Sequence, residues 1–197
     1  MIKRMTRQEK LSALAIRTPA IPSLGVPAYN WWEEATHGVG TGAHETTNVP
    51  FPITTAMSFN RSLWKATGAL IGTEARALMN LGKAGSDFWA PVVNLARDGR
   101  WGRNIETPGE DPYVSGEYAT NFVKGFQESN ADEDHILASA CCKHYVANSV
   151  EHSTEDGMTW DRFEINSEVT MQDLTDSYMP AFQSCVEKGR VSGLMCR

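Results

Sequence analysis

The chain has 197 residues, 41% hydrophobic and 21% charged, with 16 glycines and 9 prolines, the proportions of an ordinary globular protein. Its 18 Lys and Arg against 24 Asp and Glu leave a net charge of −6 with no basic block, so no nucleic-acid partner is expected. No apolar run approaches the roughly 20 residues of a membrane span, so no membrane partner is expected either.

The basic start, MIKRMTRQEKLSALAIRT, lacks a long apolar h-region and a clear cleavage site, so it does not read as a signal peptide. Residues 6–15 read as a short helix with Leu11, Leu14 and Ala15 on one side. Pro22 and Pro27 then frame a short extended piece running into Tyr29, Trp31, Trp32 and the acidic pair Glu33-Glu34. Adjacent tryptophans beside carboxylates suit a carbohydrate, because aromatic faces cover apolar sugar faces and carboxylates accept from hydroxyls. Core packing is nevertheless expected for at least one of the two.

Residues 41–55, rich in Gly, Thr and Pro, read as a loop. Asn60 or Ser62 caps a predicted helix over 61–81, with Leu63, Leu70, Ile71, Ala75 and Leu78 on its apolar side and Gly82 as its stop. A sequon at Asn60-Arg61-Ser62 is a pattern common by chance. Residues 88–95 (FWAPVVNL) read as a buried strand that ends in charge at Arg97, Asp98, Arg100, Arg103 and Glu106. A second helix over 113–128 buries Tyr118, Ala119, Phe122, Val123 and Phe126, and an acidic surface loop follows at 130–135.

Residues 138–145, ASACCKHY, are the stretch on which the rest depends. A small apolar run suits a strand buried on both faces, as in a parallel sheet. It ends in Lys143 and His144, which either exit to solvent or meet a polar partner at a strand's C-terminal end, where (β/α) barrels carry their sites. Other strand ends here finish in the same manner, which favours a site. Residues 151–162 read as polar loop, and a third helix over 168–188, interrupted at Pro180, turns Leu174, Tyr178, Phe182, Cys185 and Val186 inward. Residues 191–196 (VSGLMC) read as one more buried strand.

Strands alternating with helices predict an α/β fold with parallel strands and flanking helices. The length suits one domain but falls short of the about 250 residues of a complete barrel, and the last strand lacks a neighbour. A partial TIM-type (β/α) barrel with its C-terminal part missing is therefore expected, residues 1–197 forming one incomplete domain.

Glu34, Arg103, Lys143 and His144 converge as strand-end groups, and Arg162 joins from the polar loop. The set is rich in donors and suits a ligand with many hydroxyls. No phosphate loop, G-x-G-x-x-G, HExxH or G-x-S-x-G pattern occurs, and no cofactor or metal is expected. His37 and His44 read as structural rather than as a metal pair, and His152 as part of a solvated acidic loop. Cys141, Cys142, Cys185 and Cys196 are most simply core residues, with a disulfide among them left open.

IPSLGVPAYNWWEEATHGV, FPITTAMSFN, APVVNLARDGRWGRNIETPGEDP, CCKHYVAN and VSGLMC together resemble, in order and over nearly the whole chain, the N-terminal barrel domain of glycoside hydrolase family 3. The likeness is to its β-xylosidase-like branch. Gly99 stands where that family usually has Pro, and SVEHSTEDGMTWDRF lacks the Asp-x-His loop of the N-acetylglucosaminide branch. The resemblance implies a retaining exo-glycosidase whose two carboxyl groups stand about 5–5.5 Å apart. It implies that Glu34, Arg103, Lys143, His144 and Arg162 bind hydroxyls of a small oligosaccharide substrate in the −1 subsite, with Trp31 or Trp32 lining it. It also implies a nucleophile and an acid/base beyond residue 197, so no catalytic residue is assigned here, and an extracellular full-length parent. Glu34, where some glucosidase-like members have Asp, leans toward pentosides; arabinofuranosidase, β-glucosidase and a non-catalytic sugar-binding chain are the alternatives.

Overall fold

A computed structural model describes residues 1–40, 45–128 and 134–196. Helix α1 (Arg7–Ser12) starts from a capping box in which Thr6 and Glu9 satisfy each other's backbone N–H. It buries nothing, and Leu11 and Leu14, on its expected apolar side, stay exposed. The segment expected to be extended instead contains a 3₁₀ turn, Pro22–Leu24, between the antiparallel strands β1 (Arg17–Thr18) and β2 (Tyr29–Asn30).

Where a loop was expected, α2 (Pro52–Ala56) forms, with Pro52 in the first turn, where a missing N–H costs nothing. His44 lies outside the described residues. Helix α3 (Arg61–Asn80) begins and ends as the sequence predicts: Asn60 Oδ1 accepts from Leu63 N at 3.1 Å, and Gly82 follows the end in the left-handed region at φ 65. Leu63 and Leu70 are exposed, however, because the contact stripe runs through Trp64, Gly68, Ile71, Gly72, Ala75 and Leu78.

Strand β3 (Asp87–Phe88) is far shorter than predicted. Pro91 has no N–H for a ladder, so the buried residues after it cross to the next strand by separate bonds. Cys141 N donates to Ala90 O at 3.0 Å, Lys143 N to Pro91 O at 3.1 Å, and Val93 N to Lys143 O at 2.8 Å. Helix α4 (Pro112–Gln127) is capped by Asp111 and stacks Tyr118, Phe122 and Phe126 one turn apart, with ring centroids 5.9 and 6.0 Å apart. Trp64 and Phe88 extend this aromatic column at its two ends. Helices α3 and α4 approach so closely that a Cβ on Gly125 would sit 2.0 Å from the Lys65 carbonyl oxygen.

Strand β4 (Ser139–Tyr145) is buried through its centre and runs parallel to β3, Phe88 pairing with Ala140. After it, the expected polar loop is a hairpin of β5 (His152–Glu155) and β6 (Met158–Asp161). His152 is thus a strand residue. Asp156 at φ 51 and Gly157 at φ 76 make the two-residue turn. Helical turn α5 (Met171–Asp173) passes into a π turn, Leu174–Tyr178, before α6 (Pro180–Glu187), so the predicted break at Pro180 is larger than one kink. Phe182 and Cys185 are buried, whereas Val186 is exposed. Strand β7 (Gly193–Cys196) closes the order β3-β4-β7, all parallel. A disulfide joins Cys142 in β4 to Cys185 in α6, while Cys141 and Cys196 are free.

The fold is α/β, with α4 packed against α3, α6 and β4. Among the described residues β3, β4 and β7 form an open parallel sheet, β1-β2 and β5-β6 are separate antiparallel pairs, and no barrel closes. Among the described residues no helix is long and apolar enough to cross a membrane.

Candidate functional site

The site is built where β4 ends. Glu33 bridges in parallel to Phe88, which sets the chain before the sheet edge, and its carboxylate accepts from Gly85 N at 2.8 Å. Successive side chains of an extended segment point to opposite sides. Glu34 therefore turns the other way, and its Oε2 accepts from Lys143 Nζ at 2.6 Å. Lys143 is 2% exposed. Burial lowers its pKa from the usual 10.5, and the Glu34 charge partly offsets that.

His144 is braced by one amide. Asn94 Oδ1 accepts from His144 N at 2.7 Å and lies 3.1 Å from the ring Nδ1, while Asn94 Nδ2 donates to His144 O at 2.9 Å. The other ring nitrogen, Nε2, lies 3.2 Å from Arg103 NH1.

Arg103 presents its fork to Glu106: Nε donates to Oε1 at 2.8 Å and NH2 to Oε2 at 2.6 Å. Burial alone would lower the Arg103 pKa, but the neighbouring carboxylates Glu106, Glu151 and Glu34 outweigh it and hold the guanidinium charged. Glu151, at the foot of the hairpin, ties the rest together. Its Oε1 accepts from Trp101 Nε1 at 3.2 Å and lies 3.8 Å from Arg103 NH1, and its Oε2 accepts from Arg162 NH1 at 2.9 Å.

Glu34, Arg103 and Lys143 thus line one cavity of about 390 Å³, together with Thr36, His37, Phe51 and Glu106. That volume lies in the range for small-ligand sites, roughly 300–1,000 Å³. His144 stands behind Arg103 and contacts it. Arg162 is not in this wall: it reaches the cluster only through Glu151 and lines a neighbouring cavity of about 500 Å³. Trp31 and Trp32 line neither cavity, and neither is in the core, being 43% and 46% exposed. Trp31 packs edge-on to Tyr29 and Trp32 lies near Trp89.

Sequence reasoning gave no site role to Asn94, Glu106 and Glu151, which hold His144, Arg103 and Arg162 in place. His37, expected to be structural, packs on Phe51 at 4.0 Å and hydrogen-bonds Asn48, and it also lines the cavity. The Asp156-Gly157 pair, a hairpin signal between Thr-containing segments, could have located Glu151 and Arg162 on facing strands' ends. Nothing comparable marks Glu106 within its turn-rich stretch. Among the described residues no three His, Cys, Asp or Glu side chains gather as metal ligands. Three cations and three carboxylates offer hydroxyl-binding donors and acceptors, each already oriented by a partner.

A family model described as Glycosyl hydrolase family 3 N terminal domain matches residues 4–196. The chain is 44% identical over 209 residues to Beta-xylosidase/alpha-L-arabinofuranosidase 1 of Medicago sativa subsp. varia, covering 100% of this chain and 26% of that protein. It is 45% identical over 205 residues to Beta-D-xylosidase 1 of Arabidopsis thaliana, again covering 100% and 26%. Among solved structures it is similar to a GH3 exo-beta-xylosidase in complex with a xylobiose aziridine activity based probe. That match has a TM-score of 0.88 and 28% identity, over 99% of this chain and 26% of that one. Beta-glucosidase 3B from Thermotoga neapolitana in complex with glucose matches with a TM-score of 0.74 and 28% identity, over 91% and 23%. The chain spans about a quarter of the length of these curated relatives.

Proposed function

The chain belongs to glycosyl hydrolase family 3, and from that premise we propose that it supplies the sugar-gripping part of a retaining, exo-acting β-xylosidase site that trims xylo-oligosaccharides. Residues 1–197 are read as part of a (β/α) barrel domain, in line with the 0.88 TM-score over a quarter of a larger chain. The observation that carries the reading is the wall of one cavity, where Lys143–Glu34 and Arg103–Glu106 meet.

Each residue has a separable task. Glu34 accepts from sugar hydroxyls while holding Lys143, whose buried ammonium donates. Arg103 donates beside them, backed by His144, and Arg162 closes the neighbouring wall. Fixed dipoles of this kind hold a ring in the distorted shape it needs as positive charge grows at the anomeric carbon. The carboxylates that cleave the bond are assigned to no residue of this chain, since Glu34, Glu106 and Glu151 are each engaged by a cation. That engagement also favours a second reading, in which this polypeptide binds sugar without hydrolysing it. An extracellular setting is part of the proposal, supported by the buried disulfide.

Calorimetric titration with xylose, xylobiose and glucose tests the binding claim. A nitrophenyl-glycoside panel, run on this chain and on any longer product of its locus, tests the chemistry. Xylose binding, with xyloside turnover confined to the longer product, supports the proposal. Turnover of glucosides or arabinosides without xyloside turnover overturns the substrate class, and turnover by this chain alone overturns the assignment of the carboxylates.

A further inference from the structure

The turn before α3 carries a motif that the sugar site does not use. Asn60-Arg61-Ser62 is a complete Asn-x-Ser acceptor, and all three residues are exposed at the first turn of the helix. Arg61 is drawn aside to α4, its Nε donating to Glu117 Oε2 at 2.6 Å and its NH2 to Tyr113 OH at 3.4 Å. Asn60 engages one end of its amide: Oδ1 accepts from Leu63 N at 3.1 Å. Its Nδ2 makes no hydrogen bond among the described residues.

The surroundings are apolar. Met57 and Phe59 are each 72% exposed and Leu63 is 44% exposed, all within seven residues of chain. Three exposed apolar side chains so close in sequence give the turn apolar surface for a bound group to cover. The buried Cys142–Cys185 disulfide, a third observation, belongs to oxidising compartments such as the secretory lumen, where Asn-x-Ser acceptors are modified.

We propose that Asn60 carries an N-linked glycan whose first N-acetylglucosamine rests on Phe59 and covers this apolar turn. In the transfer, Asn60 Nδ2 attacks C1 of the reducing-end sugar of a polyprenyl-diphosphate oligosaccharide. The N–C1 bond forms as the C1–O bond breaks, the diphosphate leaves with the electron pair, and Nδ2 gives up one proton. Oδ1 is unchanged, so the helix keeps its cap. The apolar face of the sugar ring then has an aromatic partner in Phe59.

The test is mass spectrometry of the protein after passage through a eukaryotic secretory pathway, before and after a glycosidase that releases N-glycans and leaves Asp. One oligosaccharide mass is expected on the peptide containing residue 60, absent in Ser62→Ala, with Asp at position 60 after release. Asp caps a helix as well as Asn, so the released protein should melt unchanged while its binding of a hydrophobic dye rises about twofold. Unmodified Asn60 in protein that has traversed the pathway overturns the site. An occupied Asn60 with unchanged dye binding after release overturns the shielding of the apolar turn.

Discussion

Lys143 Nζ donates to Glu34 Oε2 at 2.6 Å, across 109 residues of chain, and only one of the two side chains is out of water. Lys143 is 2% exposed and Glu34 34% exposed, so the lysine depends on the carboxylate far more than the reverse. The contact joins the end of β4 to the segment that follows the tryptophan pair, and the cavity lies beside that joint.

Glu34→Gln therefore leaves a buried ammonium without its partner. The expected loss is about 2–3 kcal/mol at neutral pH, below the range for wholly buried pairs because Glu34 is a third solvated. A lysine whose folded pKa lies under 10.5 binds fewer protons folded than unfolded between those two values, so stability rises with pH through that window. Removing Glu34 lowers Lys143 further and widens the window downward. Urea unfolding should find part of the loss regained on moving to alkaline pH. A variant as stable as the parent at neutral pH contradicts the pairing.

Arg103→Lys keeps a charge but loses the fork that Glu106 engages through two nitrogens. Charge-assisted hydrogen bonds contribute about 1.5–3 kcal/mol each. Xylose affinity should fall by about tenfold or more, which calorimetry reads directly. Equal affinity in the variant removes Arg103 from the binding wall.

Gly125→Ala should destabilise the chain by 1–3 kcal/mol or more, of the order seen when a packed core is overfilled, since its Cβ would lie about 2.0 Å from the Lys65 carbonyl oxygen, a backbone atom. Gly99→Ala is the control, having nothing within 4 Å. Thermal melts of the two variants should separate clearly, and similar melts contradict the close approach of α3 and α4.

The Cys142–Cys185 cross-link spans 43 residues, for which loop entropy predicts a contribution of about 4 kcal/mol. The double Cys→Ala variant should unfold at correspondingly lower urea. Thiol counting on the denatured, unreduced chain should find two reactive groups, Cys141 and Cys196. In the folded chain burial pushes the Cys141 thiol up to about 11, so it should react slowly. Four reactive thiols in the denatured chain contradict the disulfide.

Much of the fold was legible because long periodic segments carry redundant signals. Asn60, Gly82 and the spacing of Tyr118, Phe122 and Phe126 each marked part of a helix, whereas the Asp111 cap went unread. The strand at Ser139–Tyr145 announced itself by small apolar residues ending in charge. Short elements were not legible, since β1, β2 and β6 have no fully buried residue, so no apolar run marks them. Leu63 and Leu70 misled because periodicity cannot say which edge of an apolar stripe meets the neighbour. At the site, the cationic residues stood out at strand ends. Asn94, Glu106 and Glu151 did not, because a carboxylate or amide in a turn looks the same whether it faces water or an arginine.

The central claim is that Glu34, Arg103 and Lys143, with His144 backing Arg103, grip one sugar ring, and a nuclear magnetic resonance titration with xylose tests it most directly. Saturable shifts are expected at the His144 ring, Arg103 Nε and the residues around Glu34 and Lys143, with the same curve at each and its loss in Arg103→Lys. Shifts scattered over other faces, or a curve that Arg103→Lys leaves unchanged, would contradict the claim.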